Sequence, residues 1–275
     1  MWNINFKFVV FLFIWLPFAE PKANTNFYSM IEDNFVKEWD YLIFTQHWPP
    51  TVCVDWEMKD PSHSCSMPVT PDSWTIHGVW PTKVGTMGPQ FCNKTWLFDP
   101  EEVRPIEQQM EQYWTNIEAG TGLYDLWSHE WNKHGTCAAQ IEPFDSQIKY
   151  FKKGLAWLQQ LSMSRILAES NIVPSDEKVY SLTDFYNAVK AQLNIEPQIE
   201  CRTEKGGKQY LFEIRLCFTK TLKLVDCSVI DQFGVMATTN CQTKRGIIYP
   251  ATYYPPSRYL VHLYKLINFL QWFTL

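Results

Sequence analysis

The chain has 275 residues, 46% of them hydrophobic and 19% charged, enough apolar material for a sizeable core and too little charge for long disordered stretches. Its formal net charge of −5 with histidine neutral excludes a protein that grips polyanions through a broad basic face. No internal repeat or low-complexity block divides it, so one domain is expected, over residues 27–258.

At the N-terminus Lys7 precedes the apolar run Phe8 to Phe18. This run falls short of the roughly twenty apolar residues that cross a bilayer, and the pattern predicts a signal peptide over 1–19. Cleavage after Ala19, or as late as Ala23, is expected, although Pro17 and Pro21 occupy the position three back where a small residue is preferred. The eight cysteines all lie outside this segment and are even in number, which fits an oxidising, secretory compartment. Spacing alone leaves their pairing open.

Further along, Trp74 to Pro81 alternates at the strand period and then meets Gly78 and Pro81, so a strand that bends or ends just after His77 is predicted. Asn93-Lys94-Thr95 is a glycosylation acceptor. A helix is predicted from about Leu123 to Lys133, closed by Gly135 in a left-handed conformation. At about 100° per residue, His129, Lys133, Glu130 and His134 fall at roughly 0°, 40°, 100° and 140°, so all four can face one groove. His77 can approach that groove from a separate element.

The remaining segments read as scaffold. Asp145 is expected to cap a helix over Ser146 to Leu161, and Ser181 to Asp184 opens another that runs through Leu193. Tyr210 to Phe218 alternates as a strand, with a second strand around Leu222 to Cys227 beside it. Helices mixed with antiparallel strands in this order imply an α+β domain, mainly antiparallel sheet with several helices. The tail over 259–275 is mainly apolar, but its polar residues recur at every third position and keep to no single helical face. It is also short for a membrane span, so no transmembrane segment is expected.

Two segments carry chemistry: Trp74-Thr75-Ile76-His77-Gly78-Val79-Trp80-Pro81 and His129-Glu130-Trp131-Asn132-Lys133-His134-Gly135-Thr136-Cys137. They closely resemble the two signatures of the ribonuclease T2 family of secreted and lysosomal acid endoribonucleases, with Val79 in place of the family's Leu. The resemblance runs from about Trp39 to about Pro256 and includes Gln46-His47-Trp48-Pro49-Pro50.

What the resemblance implies is a metal-independent endoribonuclease, with no cofactor, that acts on single-stranded RNA. The 2′-hydroxyl attacks phosphorus in line with the departing 5′-oxygen, so one group must take a proton while another gives one from the opposite side. By resemblance His134 is the base, His77 the acid, Glu130 and Lys133 stabilise the transition state, and His129 holds phosphate. Trp80 and Gln46 would line base sites. The family pattern also implies the pairs Cys53–Cys65, Cys92–Cys137, Cys201–Cys241 and Cys217–Cys227.

Simpler readings apply elsewhere. His63 and His262 read as ordinary surface or core residues, His47 is left open, and Trp74, Trp127 and Trp131 read as core. A zinc site is not expected, because zincin ligands are spaced i,i+4 whereas His129 and His134 are five apart and diverge on an α-helix. A monomer in the secreted or lysosomal lumen, with no stable DNA binding, is the expected setting. The rival reading is a secreted binding, signalling or cytotoxic protein on the same fold, in which RNA cleavage is secondary.

Overall fold

A computed structural model describes residues 38–60, 62–70, 73–86, 88–204, 206–228 and 239–251. Expectations for the signal segment 1–19, its late cut at 23, the tail 259–275 and His262 fall outside the described residues. The elements run in chain order as β1 (Tyr41–His47), α1 (Pro49–Lys59), β2 (Ser64–Cys65), β3 (Thr75–Thr82), α2 (Pro100–Val103), α3 (Glu107–Tyr113), β4 (Glu118–Ala119) and α4 (Asp125–Glu130). A π-turn (Trp131–Gly135) joins α4 to α5 (Thr136–Ala138). There follow α6 (Gln147–Gln160), α7 (Met163–Ala168), β5 (Val179–Tyr180), α8 (Leu182–Leu193), β6 (Gln198–Thr203), β7 (Gln209–Thr219), β8 (Leu224–Val225) and β9 (Ile247–Ile248).

This is the expected α+β domain. The main sheet has the order β3-β1-β7-β9-β5, with β6 and β8 also paired to β7. Every pairing in it is antiparallel except β7 with β9. The predicted strand at Tyr210 to Phe218 forms within β7, and Leu224 and Val225 return against Phe218 and Cys217. All four disulfides pair as the family resemblance implied.

Three local expectations are corrected. First, β3 does not end after His77 but continues to Thr82. The register slips there, with Thr45 opposite Gly78 and Gln46 opposite Ile76, so His77 is the extra residue of a β-bulge. Pro81 is tolerated because β3 lies at the end of the strand order, where its missing N–H takes no bond from the sheet.

Second, Ser146 rather than Asp145 caps α6, its hydroxyl accepting from the Lys149 N–H. Third, the helix of the second motif begins at Asp125 and does not stop at Gly135, which holds ordinary helical angles of φ −59° and ψ −42°. Gly135 is needed for packing: a Cβ there would strike the Trp131 ring. The α8 start behaves as expected, with Ser181 and Asp184 forming a reciprocal capping box.

The core is aromatic, and six of its buried indoles, Trp39, Trp48, Trp74, Trp114, Trp127 and Trp131, find an acceptor, as burial in an apolar interior demands. Trp39 donates to the Cys137 carbonyl, Trp74 to the Tyr249 hydroxyl and Trp131 to the Trp96 carbonyl. Two of these bonds form a chain across the domain. Trp127 on α4 donates to the Trp114 carbonyl at 2.8 Å, and Trp114 donates to the His77 carbonyl at 2.9 Å. From α6, the Tyr150 hydroxyl donates to the Val79 carbonyl at 3.0 Å and accepts from its N–H at 3.3 Å. The backbone at the bulge and just after it is thereby fixed from two directions.

Cys92–Cys137 ties the segment after β3 to α5 and closes 45 residues of chain. Loop entropy alone assigns such a bridge about 4 kcal/mol, and removal of native bridges typically costs about 2–5 kcal/mol. Replacing both cysteines with Ser should therefore lower unfolding free energy by at least about 2 kcal/mol in denaturant titrations. An unchanged midpoint would show that the packing around Trp131 holds this region without the bridge.

Candidate active site

The π-turn changes the geometry that helical angles predicted. In a turn with i→i+5 hydrogen bonding, residues five apart stack on one face. His134 therefore does not diverge from His129; their ring centroids are 6.3 Å apart. Donor atoms of His129, Glu130 and His134 all lie within 4.8 Å of one another. The divergence argument against a metal pair on this helix accordingly fails.

Nor do the four helix residues share one open groove. Glu130 is fully buried, while His129 is exposed and His134 partly so. His77 and His129 border a cleft of about 510 Å³, whose walls also include His47, Arg202 and Phe212.

Glu130 meets β3 where the strand has no side chain in the way. A Cβ on Gly78 would collide with the Glu130 carboxyl and the Trp80 indole. Through that gap Glu130 Oε2 accepts from Trp80 Nε1 at 2.8 Å, and Oε1 lies 3.9 Å from His77 Nε2. Oε1 has no hydrogen-bond partner among the described residues. Trp80 adjoins both histidines, its ring centroid 5.0 Å from His77 and 5.5 Å from His134.

Burial raises the Glu130 carboxyl to about 7, even against the opposing pull of His77, the Trp80 hydrogen bond and Lys133. It is thus neutral over most of the acid range. His134 goes the other way: burial first, then the charges of Lys133, His129 and His77, push it down to about 2. His129 is lowered by burial and then by Lys133 and His77. For His77 burial also favours the neutral ring, but Glu213 by charge and hydrogen bond, with Glu130, outweighs both burial and Arg215, and its pKa is raised. The two motif imidazoles are thus pushed in opposite directions.

Other predicted residues are placed as follows. Lys133 is close enough for its charge to depress both helix histidines, and its carbonyl accepts from the Phe91 N–H. Gln46 is not in the cleft: it is fully buried, its Nε2 donating to the Leu161 carbonyl and its Oε1 accepting from the Met163 N–H. It braces the turn between α6 and α7. His63 stacks on Trp56, remote from the two motifs, and Asn93 is exposed with its Oδ1 accepting from Thr95.

Sequence reasoning missed Glu213 and Arg215 and left His47 open. His47 is buried, stacks on His77 at 5.3 Å, and is pushed down to about 3 by burial and then by the His77 charge. Glu213 accepts from His77 Nδ1 at 2.6 Å and from two Arg215 nitrogens. The available signal was Glu-x-Arg on one face of a strand, an opposite-charge pair beneath otherwise apolar neighbours.

The Glu130 shift has a consequence for stability. Because the folded state holds this proton from the ordinary 4.5 up to about 7, stability falls as pH rises through that interval and stays reduced above it. The shift corresponds to about 3 kcal/mol. Glu130→Gln should therefore be more stable than wild type at pH 8, by roughly 1–3 kcal/mol, and close to it at pH 4. Equal thermal unfolding of the two proteins at both pH values would refute a neutral buried Glu130.

Comparison with known proteins shows the family and the fold. The model of the ribonuclease T2 family matches residues 39–227. Ribonuclease Oy of Magallana gigas is 36% identical over 217 residues, which cover 78% of this chain and 97% of that protein. Ribonuclease T2 of Sus scrofa is 38% identical over 194 residues, covering 69% and 90%. The crystal structure of human RNase T2 superposes with a TM-score of 0.62 at 34% identity, covering 78% of this chain and 99% of that one. RNase NT in complex with 5′-AMP superposes at 0.64 and 26% identity, covering 78% and 98%. With two contiguous motifs, four matching disulfides and a shared fold, the chain belongs to the ribonuclease T2 family.

Proposed function

We propose that this T2-type endoribonuclease cleaves single-stranded RNA by transphosphorylation, without a metal ion, to a 2′,3′-cyclic phosphate that is then opened to a 3′-phosphate. The observation that carries the reading is that both motif histidines contact Trp80 while their pKa values are driven apart, His134 down and His77 up. Pairs of titratable groups pushed apart in this way are what acid and base roles require.

In this reading His134 takes the proton of the 2′-hydroxyl as O2′ bonds to phosphorus. As the bond from phosphorus to O5′ breaks, His77 delivers its Nε2 proton to that oxygen. Neutral Glu130 and the Lys133 cation stabilise the phosphorane-like charge, His129 holds a phosphate oxygen, and the Trp80 face borders a base. In the second stage water replaces the 5′-hydroxyl and the proton transfers run in reverse. DNA offers no 2′-hydroxyl and is not cut.

Support for a secreted or lysosomal lumenal setting comes from the four disulfides and the exposed Asn93 as a glycan acceptor. No helix among the described residues is long and apolar enough to cross a membrane. We take the protein to act as a monomer, since every group assigned a role comes from one chain.

RNA should be degraded in excess EDTA while DNA of the same sequence is left intact. Loss of activity on chelation, restored by zinc, would overturn the metal-free mechanism and turn attention to the His129, Glu130 and His134 donors. Acid and base each contribute typically about 10²–10⁴ in rate. His77→Phe and His134→Phe should accordingly each lower kcat by at least about a hundredfold. Near-normal turnover in either folded variant would remove that residue from the mechanism.

A further inference from the structure

Glu213 and Arg215 lie on β7, outside both motif segments, and the mechanism above gives them no part. Their arrangement is nevertheless closed and specific. Glu213 has only 1% of its side chain exposed, and both its oxygens are engaged. Oε1 accepts the Nδ1 proton of His77 at 2.6 Å, and Oε2 accepts from Arg215 Nε at 3.0 Å and Nη2 at 2.7 Å. Arg215 Nη1 is in turn 3.6 Å from Glu200 Oε1 on β6.

A carboxylate that takes the Nδ1 proton settles two properties of an imidazole at once. The neutral ring must carry its hydrogen on Nδ1, and the ring plane is turned so that Nε2 faces away. Here Nε2 faces Glu130, 3.9 Å off, at the cleft where His77 is 31% exposed. The bulge in β3 frees His77 from the strand register, and Glu213 then supplies the orientation the bulge leaves open.

We propose that Glu213, clamped by Arg215, is a positioning residue for RNA cleavage: it fixes the orientation and tautomer of His77 and keeps the ring charged, so that the Nε2 proton is the one delivered to O5′. The proposal rests on His77 being the general acid. After delivery the ring is neutral with its hydrogen still on Nδ1 and still bonded to Glu213. No proton passes to the carboxylate.

The other charges around His77 are consistent with this assignment. Glu130 faces it from α4 and also favours the charged ring, whereas Arg215 on β7 opposes it. His47 on β1 would oppose it if charged, but burial keeps that ring neutral. His129 and His134 are themselves lowered, in part by the His77 charge, and Lys133 stands beside them as the cation of the helix. Glu200 lies behind Arg215 and reaches His77 only through it. Arg215 therefore assists through Glu213, whose carboxyl it holds well below the usual range against the cost of burial.

Glu213→Gln keeps the shape and an acceptor oxygen but removes the charge. Should a lone buried guanidinium prevent folding, Glu213→Gln with Arg215→Leu removes both charges together. In each, the imidazole nitrogens of the full chain are followed by ¹H–¹⁵N correlation across pH 4 to 9, beside kcat/KM on a dinucleoside phosphate. The His77 midpoint should move to lower pH, and the alkaline limb of kcat/KM should move with it. An opposing carboxylate typically shifts a neighbour by about 1–3 units, so on the alkaline limb, at pH above both midpoints, kcat/KM should fall at least about tenfold.

A His77 midpoint equal to that of wild type overturns the proposal. So does an alkaline limb that stays in place while the midpoint moves. The titration needs no turnover, which separates the two claims. Wild-type protein that leaves RNA intact would sink the nuclease reading. Wild-type cleavage with an unmoved midpoint would sink the role of Glu213 alone.

Discussion

The site depends on one close approach, that of a buried carboxyl group to the backbone of the outermost strand. Glu130 can reach Trp80 and His77 only because residue 78 has no side chain, and the indole N–H at 2.8 Å satisfies one of its two oxygens. The helix is held at that distance by the run of indole hydrogen bonds from Trp127 through Trp114 to the His77 carbonyl. The motif residues carried on a strand and on a helix are thus set relative to each other by core packing. The segment between them contributes Trp114 to that run, and through Cys92–Cys137 and the Phe91 N–H it also ties to the far end of the helix.

Burial and charge then divide the histidines by role. His134 and His47 lose charge because burial dominates, while His77 gains it because Glu213 outweighs burial. The His77–Glu213 pair also links stability to pH from both sides. The share due to Glu213 is complete above its ordinary 4.5 and is lost as pH falls through its depressed folded value. The share due to His77 is complete below its ordinary 6.5 and is lost as pH rises through its elevated folded value. Only between those two ordinary values are both present in full, the range of a mildly acidic lumen.

Much of this was legible in the sequence, for identifiable reasons. The two motif segments are contiguous, so His77, Glu130, Lys133 and His134 stand out together. The β7 strand and the α8 capping box are local features that short-range pattern reveals. What stayed hidden depends on long-range contact. Nothing in residues 129–135 announces the π-turn, because its glycine is demanded by the Trp131 ring and resembles any helix stop. Gln46 looks polar and therefore available until the Leu161 carbonyl and Met163 N–H are found to occupy it. Glu213 looks like the exposed face of a half-buried strand, yet β7 has β1 on one flank and β6 on the other, and its acidic side chain is enclosed.

The position of β3 in the sheet has a further consequence. Among the described residues it pairs only with β1, so its other flank is a free row of backbone groups of the kind that recruits strands from neighbouring molecules. Three features close that row: Pro81 lacks a donor, the bulge at His77 breaks the spacing, and Tyr150 occupies both polar groups of Val79. The irregularities that aim the His77 imidazole also deprive an incoming strand of a regular template. The features that shape the site thus leave no unbroken row of donors and acceptors along this sheet edge.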